Sequence, residues 1–292
     1  MLPRELIKSV KHLEIIARRA VNDQLAGRYH SSFKGQGIDF ADVREYQPGD
    51  DIRVIDWKVS ARLDDLYVKQ FQEEREMTVV LLVDMSGSQS FGTQEKLKQE
   101  TAAEIAALIA FSAIKNNDRV GLLTFTDRVE KYIKPKKGRK HVLRVITEIL
   151  TPGERSKQTN IESALHYLTR VLSKRAVVFV ISDFMDEGFS TALRIANRRH
   201  EIVPIIVSDP MEYILPNIGL VNFEDPETGE RVLIDTSSRK TRNRYETMMA
   251  KRTLDIEKMF KRNKIDTIRV ETNTDYVQPL MRYFKRRTRR NA

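Results

Sequence analysis

Three oxygen-bearing side chains at alternate positions, Asp84, Ser86 and Ser88, come directly after the apolar run 78–83. A carboxylate and two hydroxyls on one turn present oxygen to a common point, and oxygen is the donor that hard cations such as Mg2+ take in near-octahedral array. One turn rarely supplies enough ligands, so others must come from the ends of neighbouring elements. Thr159 stands in a loop that opens a helix, and Asp183 comes directly after the strand expected over 176–182. Plainer readings exist for each group. Asp-x-Ser-x-Ser alone is a common turn, Thr159-Asn160-Ile161-Glu162 has the pattern of a helix capping box, and Asp183 could cap the turn behind its strand.

Bringing these groups to one point requires the carboxyl ends of several parallel strands, where open α/β sheets place their ligands. From Met77 onward short apolar runs alternate with helical stretches, the rhythm of a mainly parallel sheet covered on both faces. Strands are expected over 77–83, 120–124, 176–182, 201–207 and 267–270. Helices are expected over 95–117, 140–150, 160–172, 191–199, 239–261 and 276–286. Residues 102–114 are apolar except for Glu104 and Ser112, so that helix should be buried against the sheet. Turn formers Asp225, Pro226 and Gly229 between alternating apolar positions make 219–234 an inserted β-hairpin.

The fold class is therefore α/β: a doubly wound, mainly parallel sheet with flanking helices, an inserted hairpin and an N-terminal extension. The divisions are the extension 1–76, the α/β domain 77–287 and a basic tail 288–292. The extension opens with a helix from about Pro3 to Asn22. A charged stretch comes next, in which Asp39 to Asp56 interleave acids and bases with Phe40, Val43, Tyr46, Ile52 and Ile55, a spacing that suggests interlocking ion pairs. Trp57, the single tryptophan, is assigned to the core.

Composition narrows the function. The chain of 292 residues is 40% hydrophobic, enough for a sizeable core, and has no cysteine, which excludes disulfides and thiolate metal sites and fits a reducing cytoplasm. No apolar run approaches the roughly 18 residues of a membrane span, and charges between Arg4 and Arg19 interrupt any signal-peptide core. A soluble, cytoplasmic protein is expected. Of the net charge of +10, six charges sit in residues 281–292 with no acid, so the body is nearly balanced. That argues against nucleic acid as the partner of the body. The basic end reads as a solvated tail, or as a patch for an anionic surface, nucleic acid or an acidic partner, with membrane contact only peripheral. Gly87 to Gly92 lacks the Lys and Ser/Thr of a phosphate loop, and the five histidines show no metalloprotease spacing.

Asp-x-Ser-x-Ser with a later Thr and Asp resembles the metal-ion-dependent adhesion site of von Willebrand factor A domains. Asp84, Ser86, Ser88, Thr159 and Asp183 are the matching positions. The resemblance implies a von Willebrand factor A-like fold, direct coordination of Mg2+ or Mn2+ by the serines, coordination by Thr159 and the aspartates directly or through water, and one place left for a partner carboxylate. A second stretch carries a further resemblance: Gly35-Gln36-Gly37-Ile38-Asp39-Phe40, Arg44-Glu45-Tyr46, Gly49-Asp50-Asp51-Ile52-Arg53, Ile55-Asp56-Trp57 and Ser60-Ala61-Arg62. It is similar to the signature of a bacterial family of otherwise uncharacterised function whose genes sit beside those of MoxR-type AAA+ ATPases. This implies a non-catalytic adaptor or co-chaperone that works with the ATPase on client proteins or on membrane-anchored proteins of the same fold. A Mg2+-dependent hydrolase using the same acidic cluster, and anionic-surface binding through the basic end, are the alternatives. The sequence departs from the pattern in two places. Gln158 and Asn160 flank Thr159 where many relatives have Gly and Asp, and Phe184 stands after Asp183 where many adhesion-type domains have Gly.

Overall fold

Uninterrupted apolar runs of Val, Leu, Ile and Phe through 79–83 and 177–181 are suited to strands covered on both faces, and both become buried central strands. The computed structural model describes residues 4–21, 23–32, 37–63, 65–74, 76–92, 96–151, 156–224 and 229–291. The chain divides into two units, 33–76 and the remainder. Helices α1 (Arg4–Ala20) and α2 (Asp23–Ser32) belong to the larger one. The smaller holds β1 (Gly37–Glu45), α3 (Trp57–Leu63) and β2 (Tyr67–Glu74). The larger then runs β3 (Thr78–Asp84), α4 (Lys98–Lys115), β4 (Arg119–Phe125), β5 (Val129–Lys136), α5 (Arg139–Leu150), α6 (Ile161–Val171) and β6 (Val177–Ser182). It ends with α7 (Ser190–Arg199), β7 (Glu201–Ser208), β8 (Leu220–Glu224), β9 (Arg231–Asp235), α8 (Arg239–Arg262), β10 (Ile268–Glu271) and α9 (Val277–Asn291).

The central sheet has the order β10-β7-β6-β3-β4-β5, parallel throughout except for β5, which runs antiparallel at one edge. The chain leaves β3 toward β4 on one side and returns to β6 on the other. Strand order therefore reverses between β3 and β6, and the carboxyl ends at such a reversal are where open α/β sheets place their ligands. Helix α4, buried along most of its length, packs on one face with α1, α2, α5 and α9 around it. On the other face α6, α7 and the end of α8 close a core built on Val80, Leu82, Leu123, Phe125, Val178 and Val180.

Strand β5 was not expected, because only Ile133 of its residues is buried and the rest alternate like a loop. Helix α4 begins at Lys98, three residues after the expected start at Glu95, which lies outside the described residues. The hairpin is present as the separate two-stranded sheet β8-β9, with Asp225 and Pro226 outside the described residues.

The boundary expected at 76/77 separates the units, but the first two helices side with the larger one. Val10, Leu13 and Ala17 of α1 and Leu25 and Tyr29 of α2 are buried there, and the Tyr29 hydroxyl donates to Asp118 at 3.1 Å. The basic end is not a free tail. Helix α9 continues to Asn291 and buries Leu280, Tyr283 and Phe284, while Arg286 pairs with Asp266 at 3.3 Å and Arg287 pairs with Glu201. An amphipathic helix with an apolar face to bury holds its basic face in place as well.

In the smaller unit β1 and β2 pair antiparallel from Gly37↔Glu74 to Glu45↔Tyr67, with an irregularity at Phe40/Asp42. The ion pairs read from the charge spacing are there: Arg44 forks onto both oxygens of Asp50 at 2.7 Å, and Lys69 lies 3.7 Å from Asp56. Gly35 and Gln36 of the signature lie outside the described residues. Trp57 is not core. It opens α3 with 64% of its surface exposed, because a two-stranded ribbon and one short helix bury Ile55 and Val68 and leave the indole uncovered.

Candidate functional site

Asp84 is the last residue of β3, and Asp183 comes immediately after the last residue of β6. The parallel register pairs Val83 with Ile181, which sets the two carboxylates on adjacent strands at the reversal point. Asp84 is buried; its Oδ1 accepts from the Ser86 N–H at 2.9 Å and its Oδ2 from the Ser182 hydroxyl at 2.7 Å. Burial, with the charge of Asp183 added, pushes the Asp84 carboxyl up to about 7. Ser86 and Ser88 turn their hydroxyls toward each other at 3.1 Å.

The loop before α6 is tied to the same rim. Gly87 N–H donates to Lys157 O at 2.8 Å, and Asn160 N–H donates to Thr126 O at 2.9 Å. Thr159 lies between these two ties. The cap of α6 is Asn160 and not Thr159: its Oδ1 accepts from Ser163 N–H at 2.8 Å, while Asp186 accepts from Ile161 N–H at 2.7 Å. Asn is as good a cap as Thr, and its position one residue later leaves Thr159 outside the helix. The structure thus brings Asp84, Ser86, Ser88 and Asp183 onto one edge, with the loop of Thr159 alongside.

Asp183 does cap the turn behind its strand, since its Oδ1 accepts from Met185 N–H at 3.1 Å. Its Oδ2 is held by a residue that sequence reasoning missed. The Lys98 ammonium, with no exposed surface, lies 2.6 Å from Asp183 Oδ2 and 2.5 Å from Glu212 Oε1. Burial alone would lower Lys98, but the two carboxylates outweigh it and hold the lysine above its ordinary value, so it remains charged. Burial pushes Glu212 up against the pull of Lys98. Glu212 is itself fixed, with Oε2 accepting from Asp209 N–H at 2.9 Å and its backbone carbonyl accepting from the Tyr245 hydroxyl at 2.8 Å. Asp209 repeats at the end of β7 what Asp183 does at the end of β6. It is buried, caps the turn behind its strand through Met211 N–H and accepts from Thr272.

One local signal pointed to Lys98. A cation in the first turn of a helix stands at the unfavourable end of the helix dipole, and a helix buried along its length offers such a cation no water. The matching Ser-Asp pairs, Ser182-Asp183 and Ser208-Asp209, pointed to the second strand end.

Phe184 has φ +57°, the left-handed region that favours glycine. The glycine-like backbone is therefore kept at this position although the residue is not glycine. Its ring is buried edge-on against Phe260 at 5.2 Å and near Phe189, and this packing holds the conformation.

The donors fit a hard, oxygen-preferring dication. Among the described residues no group of three or more His, Cys, Asp or Glu is arranged to hold a metal, so the hydroxyls have to be part of any ligand set. Each oxygen of the two aspartates already accepts a hydrogen bond, which suits carboxylates acting partly through water and hydroxyls acting directly.

A family model described as "Protein of unknown function DUF58" matches residues 42–254. An uncharacterized protein of Mycobacterium tuberculosis is 28% identical over 290 residues, which are 98% of this chain and 90% of the relative. YeaD of Bacillus subtilis is 38% identical over 82 residues, 28% of this chain and 19% of its own length. Among solved structures, the conserved hypothetical protein BatB from Bacteroides thetaiotaomicron superposes with a TM-score of 0.50 at 17% identity, covering 73% of this chain and 99% of BatB. An aerotolerance-related membrane protein from Bacteroides fragilis does so with a TM-score of 0.50 at 16% identity and the same coverage. At such identities the likeness is one of fold: a mixed α/β architecture with a central, mostly parallel sheet between helices.

Proposed function

We propose that this chain, which belongs to the DUF58 family, is a von Willebrand factor A-like binding module that holds Mg2+ or Mn2+ and uses it to capture a carboxylate of another protein. The ligands are Ser86 and Ser88 directly, with Thr159, Asp84 and Asp183 acting directly or through water. The observation that carries the reading is the Ser182 hydroxyl bound to Asp84 at 2.7 Å, which ties the β3 and β6 ends together at the reversal of strand order. When bound, the ion supplies an electropositive point for an incoming Glu or Asp oxygen. With only two carboxylates near the ion, its charge is not fully neutralised, so a partner's anion is still attracted. The chain's own groups set the geometry: Ser86 N–H orients Asp84, and the 157–160 loop is pinned to the rim by Gly87 and Thr126.

The partner in this reading is a MoxR-type AAA+ ATPase that remodels client proteins, or membrane-anchored proteins of the same fold, with this chain as a non-catalytic adaptor in the cytoplasm. No helix among the described residues is long and apolar enough to cross a membrane. Capture of the ATPase or of clients from native lysate should require Mn2+ or Mg2+, disappear in EDTA and disappear in Asp84→Ala. Capture that is indifferent to both chelation and Asp84→Ala would refute the metal-dependent mechanism.

A further inference from the structure

Lys98 is the most deeply buried cation near the rim, and it is anchored to a proposed ligand. Its ammonium bridges Asp183 and Glu212, so two carboxylates share one fixed positive charge, with the buried Asp84 beside Asp183. The two differ in what else holds them. Asp183 belongs to the ligand set, whereas Glu212 sits on the turn after β7, fastened by Asp209 N–H and Tyr245. An ammonium with three donors on a flexible stem can keep one carboxylate while releasing another.

We propose that Lys98 is a tethered cation that sets the strength of metal binding: it holds Asp183 when no divalent ion is present and rests on Glu212 alone when one binds. The inference depends on the metal reading above. It makes Lys98 and Glu212 residues that tune affinity without touching the ion. A dication approaching Asp183 meets a positive charge within a few ångströms in a poorly screened interior, and it must take over an oxygen that Lys98 already holds. Binding in the wild type is therefore weaker than the same oxygens would give alone, and it is readily reversed. Glu212 is the counterpart: by receiving the displaced ammonium it lowers the cost of the exchange.

The test is calorimetric titration of Mn2+ alone into the full chain, paired with melting curves with and without Mn2+. Lys98→Met is expected to bind Mn2+ roughly tenfold or more tightly than wild type, as loss of a nearby like charge implies. It should melt lower without the ion and gain more from it. Glu212→Gln, which leaves Lys98 only Asp183, is expected to bind more weakly than wild type. Asp84→Ala should abolish binding in every background. Equal or weaker binding by Lys98→Met, with binding still dependent on Asp84, overturns the role of Lys98 and leaves the metal site standing. Absence of Mn2+ binding in both wild type and Lys98→Met overturns the metal reading and this inference together. Where Lys98→Met does not fold, Glu212→Gln decides, and affinity equal to or above wild type overturns the proposal.

Discussion

Gln89→Met should make the protein more stable, although it replaces a residue next to the proposed ligands. Gln89 lies in the short 3-10 turn Gly87–Ser90, and only 1% of its surface is exposed. Among the described residues neither its amide nitrogen nor its amide oxygen has a hydrogen-bond partner. A buried polar group left without a partner costs about 1–3 kcal/mol. Met has nearly the same length and volume and no polar group to satisfy, and volume-conserving swaps usually cost under about 1.5 kcal/mol. Set against the cost of the swap, the net expectation is a gain of about 1–2 kcal/mol. At about 2–4 °C per kcal/mol for a chain of this class, the melting temperature should rise by roughly 2–8 °C. Urea unfolding monitored by circular dichroism measures it directly, with a higher midpoint and an unchanged slope. Gln89→Ala separates packing from polarity. It also removes the orphan amide but leaves a cavity, so it should fall below Gln89→Met by about 2 kcal/mol or more. A midpoint for Gln89→Met below that of wild type would show that the amide is satisfied, and the reasoning from its isolation would fail.

Three further outcomes are expected. Because Phe184 holds φ +57°, Phe184→Gly should be more stable than Phe184→Ala by about 1 kcal/mol, although both fall below wild type through loss of the buried ring; urea midpoints of the three proteins check the order. Asn160→Ala, which removes the cap of α6, should cost about 1 kcal/mol in the same assay. His200 is buried, and burial, together with Arg199 and Arg175, lowers its pKa below the ordinary 6.5. Above pH 6.5 the ring is neutral in both states. As pH falls through that value the unfolded chain takes up a proton that the folded one resists, so stability is lost on the acid side. The stability of wild type relative to His200→Phe should therefore decline between pH 7.5 and about pH 5.5, and a difference independent of pH would contradict the assignment.

The order of strands and helices from 77 onward was legible because burial leaves a local trace. Strands covered on both faces need unbroken apolar runs, as in β3 and β6, and a helix laid on the sheet needs an apolar surface all around, as in α4. The Asp84-Met85-Ser86-Gly87-Ser88 turn was legible for the same reason, since all its groups are local to one strand end. Asp183 was legible as the first carboxylate behind another such apolar run. Strand β5 escaped because an edge strand with one buried residue alternates too weakly to be told from a loop. Trp57 and the basic end were misread because residue type reports what a side chain prefers and not how much surface is available to cover it. The indole stayed exposed on a thin ribbon, while arginines with an apolar helix face beneath them became anchored.

The roles of Lys96 and Lys98 mark the limit. They stand two residues apart in Glu95-Lys96-Leu97-Lys98-Gln99-Glu100, equivalent in type and in neighbours. Lys96 reaches Glu104 at 2.7 Å from just ahead of the helix that carries it, a pairing within eight residues. Lys98 is buried against Asp183 and Glu212, 85 and 114 residues away. Local pattern determined which segments are strands and helices and which turn carries the oxygens, because those depend on each segment's own periodicity. Which strands lie side by side, where their order reverses and which charges are enclosed there depend on how distant segments pair, and only the assembled sheet decided that.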